Sequence, residues 1–214
     1  MFAGHFAASV VAKASAPRLP FWACVAAAQA LDYLWAGLIL AGVEKLRVNP
    51  ALIGSPLDLF HMPWSHSLVM ALLWSALLGW LAARRWGAAG WWIGAVVFSH
   101  WLADLIAHRP DLPLWPGGDL RLGLGLWTLP ELAVTVEIGL VGLAAAWWTA
   151  RRTRARLAAA PALGWLVALL VLAGINELPG DAPTPAGMAL LSLLAFTLLV
   201  GVAALVDRAD ARRI

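Results

Sequence analysis

Long apolar runs broken by short polar stretches set the pattern of this chain. After a first apolar segment at residues 2–13, runs of spanning length occupy residues 21–42, 64–83, 88–108, 129–150, 157–175 and 186–206. A helix rising about 1.5 Å per residue needs about 20 residues to cross a hydrocarbon core about 30 Å thick, so each of these runs predicts a transmembrane helix. The first segment is too short to span and predicts a short, half-inserted helix. Residues 44–60, with Pro50, Gly54 and Pro56, read as a loop with a short surface helix. Residues 109–128, rich in Pro and Gly, are long enough to form a lid or rim. The predicted fold class is all-α: a polytopic helical membrane protein of about six transmembrane helices plus a short amino-terminal helix. It is a single integral membrane domain over 1–214, with the candidate site in 1–120 and additional helices in 121–214.

Composition agrees, since 62% of the residues are hydrophobic and only 13% charged, with a mean hydropathy of +0.80. A soluble core is excluded on these values. The net charge of +3 could point to nucleic acid, but the basic residues lie between apolar runs, where they report topology instead. With both termini cytoplasmic, Lys13, Arg18, Arg84, Arg85, the Arg151–Arg156 cluster and the tail from Arg208 to Arg213 fall inside. Only Lys45, Arg47, Arg109 and Arg121 fall outside, as the positive-inside rule requires. Ala14-Ser15-Ala16 has the look of a cleavage site, but the first lysine, Lys13, follows the apolar stretch instead of preceding it. The segment is therefore read as a retained helix.

Ionisable groups inside the apolar runs are the candidate chemistry, because burying an isolated charge in hydrocarbon costs several kcal/mol. His100, Asp104 and His108 recur every four residues and so share one helical face within about 80°. Asp32 lies near the middle of its run, and Glu137 about two turns into another. Pro63 suits a helix's first turn, which would leave His61 just outside the next span and His66 one turn inside it. All five histidines of the chain, His5, His61, His66, His100 and His108, then fall next to one region beneath the outer face. A lone intramembrane histidine is usually a hydrogen-bonded packing residue. This set, with Asp32 and Asp104, instead offers the nitrogen and oxygen ligands of a divalent metal, zinc first, with manganese or iron as alternatives. The single cysteine, Cys24, excludes a thiolate cluster.

The blocks G-H-F-A-A-S-V-V-A-K at 4–13, H-x-x-x-x-H-S at 61–67 and S-H-W-L-A-D with L-P-L-W-P between 99 and 116 resemble the membrane-bound, metal-dependent hydrolases, a family with DNA-damage-inducible inner-membrane members. The resemblance covers residues 1–120 and includes the Asp32-bearing segment, where A-L-D-Y-L stands for that family's P-D-x-D-H. It implies that His5, Asp32, His61, His66, His100 and Asp104 are the family's polar positions, and that the chain sits in a bacterial inner membrane.

The expected mechanism is metal-assisted hydrolysis. The ion is held by His66, His100 and Asp104, with Asp32 and His5 completing or bridging. Glu137 or Asp32 takes the proton, and the substrate is a lipid or lipid-linked phosphate at the outer face, with Arg109 or Arg121 meeting its phosphate. Membrane lipid is the expected partner, and nucleic acid is not. Two alternatives remain open: a proton- or cation-coupled transporter or channel subunit using the buried Asp, His and Glu groups, and a haem protein with His66 and His100 as axial ligands.

Overall fold

The structure, a computed structural model, describes residues 3–176 and 183–212. Its helices are α1 (Phe6–Ser15), α2 (Phe21–Ala28), α3 (Ala30–Leu40), α4 (Leu68–Trp86), α5 (Trp91–Ala107), α6 (Pro130–Arg154), α7 (Ala160–Asn176) and α8 (Pro185–Ala211). Among the described residues, three helical stretches are long and apolar enough to cross a membrane: Leu68–Ala107, Pro130–Arg154 and Pro185–Ala211. The bent pair α2–α3 makes a fourth when taken together, while α1 and α7 are apolar but shorter. Their outward residues fit a lipid surround, since Leu73 on α4, Leu143 on α6 and Leu194 on α8 are all more than half exposed.

The stretch Leu68–Ala107 spans 40 residues, about 60 Å of helix and far more than one crossing needs. It folds back at the 3-10 turn Gly87–Gly90, and α4 lies antiparallel on α5. Glycine makes this possible. A Cβ at Gly94 would stand 2.6 Å from the Ser75 carbonyl oxygen and 3.1 Å from Gly79 Cα, so both residues must be small for the two backbones to meet.

The run at 21–42 is one span in the sequence reading but two helices in the structure, bent by 53°. Gln29 sits at the break with φ −117° and ψ 15°, outside the helical region. The break frees the Ala28 carbonyl and sets Asp32 in the first turn of α3, where the helix dipole favours a carboxylate.

Two further expectations are corrected. Residues 44–60 hold no surface helix; they form a hairpin of β1 (Lys45–Val48) and β2 (Leu57–His61), paired antiparallel. The alternation of outward Lys45 and Arg47 with inward Leu46 suits a half-buried strand. A second small ladder, β3 (Leu112–Pro113) with β4 (Arg121–Leu122), organises the 109–128 rim. The helix after Pro63 begins only at Leu68, capped by the Ser67 hydroxyl accepting from the Met70 N–H. His66 therefore lies in the turn before α4, not one turn inside it.

The amino-terminal helix folds into the bundle. Phe6 and Ala12 are fully buried, and Phe6 meets Trp165 edge-to-face at 5.9 Å. At its far end Lys13 pairs with Asp207 at 3.3 Å, and the Asp207 carboxylate also accepts from the Phe21 and Trp22 N–H groups, so α8 caps α2. Arg152 and Asp210 pair nearby at 2.7 Å. These contacts gather at one end of the bundle. The hairpin, the rim and the turn at 62–67 lie at the other.

Candidate metal centre

Five segments deliver the buried polar groups to one place. His5 precedes α1, Asp32 opens α3, His66 ends the turn before α4, His100 and Asp104 share a face of α5, and His108 follows α5 directly. The i, i+4 reading of α5 holds: His100 Nε2 lies 3.1 Å from Asp104 Oδ2. His108 has left the helix, with ψ 151°, yet its Nε2 still stands 3.2 Å from Asp104 Oδ1. His5, His66, His100, Asp104 and His108 are all nearly inaccessible, whereas the Asp32 side chain keeps 24% of its surface exposed. Asp32 thus faces the opening.

The protonation pattern decides what these groups are arranged to hold. His100 Nδ1 is 2.7 Å from the Ala28 carbonyl oxygen, which only accepts, so that nitrogen carries the proton and donates. Ser65 donates its hydroxyl proton to Glu44 Oε2 at 2.6 Å; its oxygen, 2.7 Å from His66 Nδ1, therefore accepts from that nitrogen. Asp111 Oδ1 accepts from His108 Nδ1 at 2.9 Å. In each neutral ring Nε2 is then left with its lone pair outward. Those nitrogens face carboxylate oxygens, so a proton or a metal ion must stand between them. His100 Nε2 is buried and makes no hydrogen bond.

The spacing matches an ion. His66 Nε2 lies 3.4 Å from Asp32 Oδ1 and 3.5 Å from Asp104 Oδ2, while His100 Nε2 lies 3.6 Å and 3.1 Å from the same two atoms. Ligands at about 2.0–2.1 Å in a tetrahedron stand about 3.3 Å apart, and the four nitrogen–oxygen separations lie close to that spacing. The buried groups His5–His100–Asp104 and Asp32–His66–His100 could each hold a metal ion. His5 Nε2 meets Asp104 Oδ1 at 2.9 Å, and its ring stacks on that of His100 with centroids 3.9 Å apart. Partners on Nδ1 of His66, His100 and His108, holding Nε2 toward the cluster, are of the kind that forms the usual outer shell of metal sites.

Other sequence candidates lie outside the two converging groups. His61 is exposed at the end of β2 and belongs to neither converging group. Glu137 Oε2 accepts from the Ala3 and Gly4 N–H groups, tethering the segment that carries His5. Arg109 donates to the carbonyls of Ile53, Ser55 and Leu57 and lies over Trp127, binding the hairpin loop to the rim. Arg121 is held on the Gly118 and Leu120 carbonyls. Between His66 and His100, whose centroids are 5.5 Å apart, stand Asp32 Oδ1 and Asp104 Oδ2, so the pair is not laid out as two axial haem ligands. Sequence reasoning missed Glu44, Ser65, Asp111 and the Ala28 carbonyl. Ser65 adjoins His66 in sequence and offered the one local signal, but Glu44 reaches it across 21 residues.

A cleft of about 480 Å³ opens onto this cluster. Its polar floor includes His5, Asp32, His66, Asp104 and His108, and its walls extend between α6 and the pair α7 and α8, past Ile138, Leu170 and Phe196. Comparison with protein-family models, with characterised proteins and with solved structures gives no match to this chain.

Proposed function

We propose that the protein is a metal-dependent hydrolase of the bacterial inner membrane, with six spans, both termini cytoplasmic and zinc as the bound ion, acting on an amphiphilic lipid or lipid-linked substrate beneath the outer face. The observation that carries this reading is the set of imidazole nitrogens, each fixed through its other nitrogen, facing two carboxylates at tetrahedral spacing. The resemblance to membrane-bound, metal-dependent hydrolases rests on the same residues. His66, His100, Asp32 and Asp104 would hold the ion. A divalent ion in such a site lowers the pKa of bound water toward neutrality and polarises the scissile group. Asp32, the ligand most open to the cleft, is placed to take the proton from water. His5 and His108 hold the other oxygen of Asp104 and fix its orientation.

Elemental analysis of the detergent-purified protein tests the centre directly. About one divalent ion per chain is expected in the wild type, with His100→Ala and Asp104→Ala reduced to background. Equal trace metal in all of them would assign these residues to packing or proton transfer.

A further inference from the structure

The cleft carries information about the group that is cut. Among the described residues no lysine or arginine lines it. Arg109, whose partners Ser55 and Leu57 line the cleft, is committed to the carbonyls of residues 53, 55 and 57, and Arg121 to those of Gly118 and Leu120. Charge within the site is already balanced. The two candidate groups share His100, whose one free nitrogen serves a single ion, and the charge of that ion is matched by Asp32 and Asp104. Glu137, which also faces the cleft, adds a further carboxylate. Phosphoryl-transfer sites neutralise the charge of their substrate with arginine, lysine or extra metal ions, and this cleft has no such surplus. A carboxylic ester or amide is uncharged before reaction and needs positive charge only as its oxyanion develops, which a single ion supplies.

The walls select the rest of the substrate. From the polar floor the cleft runs between α6 and the pair α7 and α8, over Val141, Leu170, Ala173, Gly174 and Phe196. Its volume is within the range of about 300–1,000 Å³ that encloses a small ligand. We infer that the substrate is a long-chain acyl ester or amide, its hydrocarbon tail lying between α6 and α7–α8 and its carbonyl beside Asp32, and not a phosphate ester. This deepens the hydrolase reading and rests on it. Water is the co-reactant. Its oxygen bonds to the carbonyl carbon while Asp32 takes the proton. The carbon–oxygen or carbon–nitrogen bond then breaks, and that proton goes to the departing alcohol or amine, leaving a fatty carboxylic acid.

The test uses the full-length, zinc-loaded protein in detergent micelles with p-nitrophenyl palmitate, N-palmitoyl aminocoumarin and dioleoyl phosphatidate. Turnover of the ester or the amide is expected, falling at least about 100-fold in Asp32→Asn and on chelation, with no phosphate released. Phosphate release without acyl turnover would overturn this inference and leave the hydrolase reading standing. Absence of turnover with all three would overturn both. Acyl turnover that persists in His100→Ala would show that the activity is not of this site and overturn the inference as well. Gly174→Leu tests the tail separately, because a Cβ there meets no atom within 4 Å and the side chain enters open space. It is expected to lower kcat/KM for p-nitrophenyl palmitate relative to p-nitrophenyl butyrate by about 10-fold, the scale of apolar-pocket discrimination. An unchanged ratio would overturn the placement of the tail.

Discussion

Glu44 illustrates how a residue with no reach to the centre can govern it. Its carboxylate is fully buried and accepts from the Trp64 and Ser65 N–H groups at 2.8 and 2.9 Å as well as from the Ser65 hydroxyl. That last bond uses the only proton Ser65 has, which forces His66 to donate through Nδ1 and present Nε2 as a lone pair. Ser65→Ala leaves the His66 proton without its acceptor, and Glu44→Gln releases Ser65 to donate to the ring instead. If the centre holds a divalent ion as proposed, each is expected to weaken its binding by about 10–100-fold, measured by competition with a chromophoric chelator. His61→Ala should leave zinc content unchanged, since its side chain stands in solvent at the end of β2. A fall in content would mean that the hairpin supplies a ligand.

At the scale of elements, two backbone features place the candidate ligands. The break at Gln29 turns the Ala28 carbonyl out of the helical ladder and toward His100 Nδ1, so a helix end serves as the orienting partner of a ligand. The glycine contact between α4 and α5 sets the second feature. It fixes how closely α5, with His100 and Asp104, approaches the turn holding His66, and Trp101 Nε1 donates to the His66 carbonyl at 2.9 Å across that seam. Gly94→Ala forces a Cβ to within 2.6 Å of the Ser75 carbonyl. It should destabilise the detergent-solubilised protein by about 1–3 kcal/mol, seen as a lower Tm, with a parallel loss of zinc affinity. Gly142→Ala, whose Cβ meets nothing within 4 Å, should not lower Tm, because alanine favours the helix by up to about 1 kcal/mol. Equal effects of the two would remove the packing argument.

For the whole molecule, the polarity of the bundle is the feature with consequences. Lys13, Arg152, Asp207 and Asp210 meet at one end, while the candidate centre, its hairpin and its rim sit toward the other. If the basic end is cytoplasmic, Asp119→Cys on the rim should react with an impermeant maleimide in intact cells, and Ala88→Cys, in the turn between α4 and α5, only after permeabilisation. The native Cys24 is fully buried and contributes no background. The reverse labelling would put the cleft on the cytoplasmic side.

Much of this architecture was written in the order of residues. Apolar run length located the helices to within about a turn, apart from the break that divides residues 21–42, because the cost of unpaired backbone in hydrocarbon makes helix the local solution wherever a long apolar run occurs. The stripe on α5 was equally legible, since i, i+4 spacing puts His100 and Asp104 on one face whatever surrounds them. What the chain could not declare was anything that depends on two distant segments meeting. The bend at Gln29, the burial of α1 that carries His5 to Asp104, and the use of Glu44 to set the proton of His66 come from packing between residues tens of positions apart. Arg109 and Glu137 hold backbone contacts that the sequence did not show, a loop clamp and an amide tether, because the groups beside them come from distant segments. Hydropathy is a sum over neighbours in sequence, whereas a coordination shell is chosen by neighbours in space, and only the folded chain supplies those.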